Sequence, residues 1–273
     1  MDLKTVLYDH VGSTAVVTLS RPARHNAWTG RMHTEYCWVL QQAEDDPDVK
    51  VIVVTGDPAG EAFCVGADSQ ALAGHLAEGE YVSGTDDDIP TPGFGVDPTF
   101  DADFAYHFGL TKPVVAAING AVAGVGLALA CFADVRFAAA DSKLTAAHGR
   151  LGLPVEFGLS WLLPRIIGLG RANDILLTSR VVMAEEALEM GLVNGVVPAD
   201  DLLAHVHAWI SEFLGPVARS SLAATRRQVY SDLHGDAAGS VNEARRLLDV
   251  HMAGSEFAEG VAALHERRLP KFP

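Results

Sequence analysis

Basic residues are scarce in this chain: 20 lysines and arginines stand against 35 aspartates and glutamates, a formal net charge of −15 over 273 residues. A nucleic-acid binder presents a basic face, and none is visible here. Long apolar runs are missing too; none reaches the roughly 18 residues of a membrane span. The opening stretch, "MDLKTVLYDH", has no basic region followed by an apolar block, so no secretory signal is read in it. Cysteine is sparse: Cys37, Cys64 and Cys131 lie far apart and in no C-x-x-C pair. This argues against a disulfide framework and predicts reduced thiols in a cytoplasmic protein. Metal-ligand patterns are absent as well. No H-E-x-x-H occurs, and His205 and His207, two residues apart, point to different sides of a helix.

Nucleotide motifs fail at particular positions. No G-x-x-x-x-G-K-[ST] is present, and Gly124-Val125-Gly126 has Leu129 where a dinucleotide fingerprint needs its third glycine. The run "GLSWL" begins like a nucleophile elbow but carries Leu162 in place of the last glycine. If the ligand is an anion, positive charge must be concentrated locally. The candidates are Arg21 with Arg24, Arg226 with Arg227, and Arg267 with Arg268, each of which also reads as a solvated surface pair.

What is present is a full-sized core: 49% of residues are hydrophobic and 20% charged. Residues 1–20 read as a strand pair around a Gly-Ser turn, and a helix is predicted from Thr29 to about Ala43. The runs "KVIVVTG" and "KPVVAAI" read as buried strands, and "DVRFAAADSKLTAA" as two strands joined at Asp141-Ser142. Alternation of strand, loop and helix predicts an α/β architecture. From about Gly158 the texture turns helical, which suggests a packing or oligomerisation region behind the core. Residues 74–106, rich in Gly, Pro and Asp, have no clear period and read as a mobile excursion that could gate a pocket.

Two glycine-rich turns follow buried strands: "FCVGAD" after "VIVVTG", and "NGAVAGVG" after "PVVAAI". A helix start exposes unpaired backbone N–H groups, and glycine lets a ligand atom approach them. Two such turns on one side of a sheet could aim two amides at one oxygen. Close packing of helix on strand explains the same glycines, and both readings stand. Cys64, in the first turn, reads as a small buried side chain or as a reactive thiol.

Six stretches then carry a resemblance. "TLSRPARHNAW", "GEAFCVGAD", "KPVVAAINGAVAGVGLALACFADVRFAA", "LGLPVEFGLSWLLPRIIG", "AEEALEMGLVNGVV" and "HERRLPKFP" are similar, in order and over nearly the whole chain, to the crotonase superfamily of enoyl-CoA hydratase/isomerase proteins. The resemblance implies a crotonase-like spiral of ββα repeats over residues 1–196. It implies a helical trimerisation region over residues 197–273, forming a homotrimer or a dimer of trimers. It implies acyl-CoA thioester substrates of the kind met in fatty acid metabolism, lyase or isomerase chemistry, and no separate cofactor, since coenzyme A enters as part of the substrate. No nucleic-acid or membrane partner is expected. Carried over residue by residue, the two oxyanion-hole donors fall on the amides of Ala67 and Val125, valine standing where many relatives have glycine. Coenzyme A is implied along Arg24, Ala27, Ala67, Asp68, Ser69, Gln70 and Val125, with Arg24 meeting a phosphate.

The chain also departs from the family pattern. A hydratase of this family uses two glutamates. Ala128 stands at the place of the first and His148 at the place of the second. The remaining acid is Glu156, where some family isomerases carry their working carboxylate. Beside an apolar acyl pocket its pKa would rise, which suits a proton shuttle that moves a double bond. Glu156 also reads as a loop acid ahead of a helix, and His148 as a base or as a turn residue before Gly149. Isomerisation is the favoured activity, with hydration and catalytically silent acyl-CoA binding as the alternatives.

Overall fold

The structure, a computed structural model, describes residues 2–78 and 95–272. Strands β1 (Val6–Val11) and β2 (Thr14–Leu19) pair antiparallel, as the Gly-Ser turn predicts. Helix α1 (Gly30–Asp45) starts at Thr29, whose hydroxyl accepts from the Met32 N–H at 3.2 Å and so satisfies one of the unpaired donors of the first turn. The chain then repeats one unit: a strand in a six-stranded sheet, a shorter strand in a four-stranded sheet, and a helix. The first unit is β3 (Val51–Gly56), β4 (Ala62–Cys64) and α2 (Ser69–Glu78). The second is β5 (Val114–Ile118), β6 (Ala121–Ala123) and α3 (Val125–Phe132). The third is β7 (Val135–Ala139), β8 (Lys143–Thr145) and α4 (Leu159–Ile167). There follow α5 (Leu169–Thr178), β9 (Val182–Met183), α6 (Ala184–Glu189), β10 (Gly195–Val197), α7 (Leu202–Trp209), α8 (Arg219–Asp232), α9 (Ala237–Met252) and α10 (Ser255–Glu266). Asp141 and Ser142 do join two strands, but β7 and β8 lie in different sheets.

The large sheet runs β1-β2-β3-β5-β7-β10 and is parallel from β2 onward. Its continuous apolar runs follow from burial on both faces. Ile52, Val54, Ala116, Ile118 and Ala138 face the main core, while Val51, Val53, Val115, Ala117 and Phe137 form a second cluster with Leu202, Val206 and Ile210 of the α7 region. The small sheet runs β4-β6-β8-β9, with β4, β6 and β8 parallel. The C-terminal ends of β4 and β6 therefore sit side by side, and each opens into one of the glycine-rich turns.

One reading of the charged residues needs correction. Arg226 is not a solvated cation: it is 7% exposed and locks α8 onto the core. Its Nε donates to both carboxylate oxygens of Asp134 at 2.9 and 2.8 Å, and its Nη2 donates to the His107 carbonyl at 2.8 Å. Its Nη1 donates to the Leu110 carbonyl and the Tyr230 hydroxyl donates to Asp134. Beyond this latch α8, α9 and α10 bury little, and between them runs an apolar groove of about 1280 Å³, lined by Leu247, Leu248, Phe257, Val261 and Leu264 among others. Of the excursion read at 74–106, residues 79–94 lie outside the described residues. The rest continues α2 to Glu78 and returns through a 3-10 turn at Ala105–Gly109.

Candidate active site

The turn after β4 is held from one side by Trp28. The Trp28 N–H donates to the Gly66 carbonyl at 2.8 Å, and the Asp68 N–H donates to the Trp28 carbonyl at 2.8 Å. This parallel bridge uses the peptide groups on either side of Ala67, so the N–H of Ala67 itself points away from Trp28. Ala67 is exposed. The turn after β6 ends at Val125, the first residue of α3, where no carbonyl one turn back is available. The first bond of this helix runs from the Ala128 N–H to the Gly124 carbonyl at 3.1 Å. Among the described residues, neither the Ala67 nor the Val125 N–H donates to a protein group.

The two turns are in contact. A Cβ on Gly66, which has a φ of 101°, would lie 3.3 Å from the Ala123 carbonyl oxygen. A Cβ on Gly126 would lie 2.3 Å from the Cys64 carbonyl oxygen, so only glycine lets the first turn of α3 seat on β4. Close packing of α3 on β4 and two N–H groups without protein acceptors thus occur together, Ala67 and Val125 each lying just past one of two adjacent strands. The Val125 side chain is packed in the main core. Cys64 is fully buried, and burial pushes its thiol up to about 12, which leaves it a small core side chain at neutral pH.

Arg24 and Ala27 lie in a loop that packs on the start of α2, where Asp68, Ser69 and Gln70 stand. The Arg21–Trp28 loop lies against the start of α2, because Arg21 Nη1 donates to the Ala27 carbonyl at 2.6 Å and to Asp68 at 2.9 Å. Asp68 is 3% exposed and caps α2 through the Gln70 N–H at 2.8 Å. Burial works to raise its pKa, but the Gln70 and Arg21 hydrogen bonds and the charges of Arg21 and Arg24 outweigh it and hold the carboxyl below the usual range. The Asp68 side chain is therefore occupied in holding the turn. Arg24, Ser69 and Gln70 are exposed, Ala27 is buried, and Arg24 is near enough to act on Asp68 by its charge.

On the other side, His148 starts a 3-10 turn (His148–Leu151) after β8, and Glu156 follows in the loop before α4. Burial raises the Glu156 carboxyl above the ordinary glutamate value, and the nearby His148 pulls it back only in part. His148 is 6% exposed, and its Nδ1 has no hydrogen-bond partner among the described residues. Ala147 and Phe157, with φ of 60° and 49°, hold left-handed conformations that a side chain disfavours. Such strain gathers at functional turns. Ala128 is fully buried in α3, so the first hydratase position offers no polar atom.

This two-sheet spiral, with paired strand ends opening on free amides, can be compared with known proteins. The enoyl-CoA hydratase/isomerase family matches residues 9–273. The chain belongs to that family. It is 33% identical to the probable enoyl-CoA hydratase echA8 of Mycobacterium bovis, over 100% of this chain and 99% of the relative. It is 36% identical to the probable enoyl-CoA hydratase echA12 of Mycobacterium tuberculosis, over 94% of this chain and 88% of the relative. Among solved structures, a probable enoyl-CoA hydratase/isomerase from Mycobacterium abscessus superposes with a TM-score of 0.83 at 30% identity, covering 98% of each chain. An enoyl-CoA hydratase/isomerase family protein from Hyphomonas neptunium superposes with a TM-score of 0.84 at 30% identity, covering 99% and 98%. Enzymes of this family act on acyl-CoA thioesters, and the chain has the crotonase-type fold. No helix among the described residues is long and apolar enough to cross a membrane.

Sequence reasoning missed Trp28, Arg21 and Asp68 as the parts that aim the first turn. Their contacts span up to 47 residues of chain, and no local pattern reports them.

Proposed function

We propose that this enoyl-CoA hydratase/isomerase family enzyme moves the double bond of an enoyl-CoA. The thioester oxygen is held by the N–H groups of Ala67 and Val125, and Glu156 carries the proton. The observation that carries the reading is the pair of unpaired amides at adjacent strand ends, with Ala128 replacing the acid that would activate water. As Glu156 removes a proton from the carbon beside the thioester carbonyl, negative charge builds on the thioester oxygen, where the two amides stabilise it. The protonated Glu156 then returns the proton two carbons along. Losing one such donor costs about 2.7–4 kcal/mol of transition-state stabilisation. Coenzyme A runs along Arg24, Ala27 and Ala67 to Gln70, with Arg24 on a phosphate, Asp68 steadying the turn, and Val125 closing the thioester end.

A second reading is hydration, the activity in the names of the relatives. It is favoured by the buried, unpartnered Nδ1 of His148 close to Glu156, which makes a pair able to hold and polarise a water. The apolar groove on α8–α10 supports assembly into a homotrimer or a dimer of trimers, and three buried thiols suit a cytoplasmic enzyme.

The conjugated thioester absorbance tests these readings. Its appearance from a 3-enoyl-CoA supports isomerisation, and its loss from a 2-enoyl-CoA supports hydration. No change with either substrate, with coenzyme A thioesters still bound, leaves a silent binder. Glu156→Gln is expected to lower the isomerase kcat by at least about 10²-fold and to spare binding; an unchanged rate refutes the role of Glu156. Because the working base is the carboxylate, kcat/KM should fall with decreasing pH through a pKa above 4.5, the value for an unperturbed glutamate.

A further inference from the structure

We propose that a row of three rings, Trp28, Phe104 and Phe157, closes the acyl pocket behind Glu156, so that this enzyme takes short acyl chains and excludes long ones. The inference rests on the reading of the preceding subsection, because it needs the thioester at Ala67 and Val125 and the reacting carbons at Glu156.

The row links the segment that holds the Ala67 turn to the loop that carries Glu156. Trp28 brackets Ala67 through its backbone, and its ring meets Phe104 at 5.4 Å between centroids. Phe104 meets Phe157 edge to face at 5.1 Å, and Phe157 is the residue after Glu156. A hydrocarbon chain threading between two groups needs two carbon–carbon contacts of about 3.5–4.0 Å each, or roughly 7–8 Å in all. Both ring separations are smaller. Phe104 is fully buried and Trp28 is 3% exposed, so the row is backed by core rather than by solvent. His33 and Tyr106 pack behind Phe104, at 5.8 and 6.2 Å.

The backbone supports the same conclusion. Phe104 and Phe157 both have positive φ, at 62° and 49°. A bulky residue rarely takes that conformation unless its surroundings impose it. Two segments 53 residues apart (157 − 104) each accept this strain, and their rings meet at the end of the row next to the candidate acid. For a proton to travel between the first and third carbons past the carbonyl oxygen's own carbon, those carbons must lie along Glu156. Carbons beyond them run into the rings.

The experiment is calorimetric titration of the full-length protein with acetyl-, butyryl-, octanoyl- and palmitoyl-CoA, which needs no turnover. Each methylene buried in an open tunnel adds roughly four-fold to affinity. The expected result is tightest binding for butyryl-CoA, with octanoyl- and palmitoyl-CoA weaker by about ten-fold or more. Affinity that keeps climbing to palmitoyl-CoA overturns the proposal. Phe157→Ala, in a half-buried loop, is expected to raise octanoyl-CoA affinity relative to butyryl-CoA by about ten-fold. An unchanged ratio in a folded variant also overturns the proposal. If Phe157→Ala does not fold, the native series decides alone. Failure of every thioester to bind overturns the acyl-CoA reading and the ring row with it, whereas equal binding of short and long chains overturns only the ring row.

Discussion

Helices α3 and α9 are opposites. Every residue of α3 is buried, and none of α9 is. The helix at the candidate site is a core element: its first amides have no carbonyl one turn back, and Gly126 lets it sit hard against a strand. The C-terminal helices have hydrophobic faces and little to bury them on: Leu248, Val250, Phe257 and Leu264 are all exposed. The comparison teaches where rigidity comes from in each region. Around α3 it comes from close packing, with backbone positions fixed to within a side-chain methyl. In the tail it comes from polar ties of α8, the Arg226–Asp134–Tyr230 latch and Arg219 donating to the Val49 and Asp48 carbonyls, while apolar surface on α9 and α10 stays exposed.

The sharpest way to break that contrast is Arg226→Ala. Removing the guanidinium leaves Asp134 without its cation and strips hydrogen bonds from the His107 and Leu110 carbonyls. A loss of about 3–5 kcal/mol in unfolding free energy is expected. Denaturant unfolding of the variant measures it, and a change below about 1 kcal/mol would mean that the latch does not hold the tail.

The next probe is acid. His107 lies inside the core, with its Nδ1–H donating to the Phe104 carbonyl at 2.6 Å and its Nε2 accepting from the Tyr36 hydroxyl at 2.7 Å. Burial is the largest of several influences that bring its pKa down to about 4 from 6.5. The unfolded chain therefore binds the proton first. Stability is fully present above about pH 6.5 and is lost as pH falls toward about 4, by roughly 3 kcal/mol from this group. A ring titration by NMR with its midpoint near 4 is expected, and a midpoint near 6.5 would show that the site is wetter than its packing implies.

The smallest effect on the isolated fold is expected at the tail. Leu248→Glu changes an exposed position, so subunit stability should move by less than about 0.5 kcal/mol. The proposed oligomer, in contrast, should dissociate in light scattering. An unchanged molar mass would show that the groove is not an interface between copies.

Much of the core was legible because it is written in local pattern. β3 reads as buried from its unbroken apolar run, and α1 begins at the residue whose hydroxyl can cap it, Thr29. The glycines of both site turns were legible too, although pattern alone left packing and amide presentation as rivals. The close contacts of Gly66 and Gly126 establish the packing role, and the amide role stays a proposal that this packing supports. What could not be read was long-range. Arg226 meets an aspartate 92 residues away, and on the surface pattern of α8 it resembles any solvated arginine. Phe104 and Phe157 meet only because two turns adopt backbone conformations that their own side chains disfavour. Of the predicted mobile excursion at 74–106, residues 79–94 lie outside those described.

The most direct measurement is a crystal structure with a non-reactive acyl-CoA thioester bound. The thioester oxygen is expected to lie about 2.7–3.1 Å from both the Ala67 and Val125 nitrogens. An oxygen that meets neither nitrogen, with the acyl group seated elsewhere, would contradict the reading of these two amides as the centre of the chemistry.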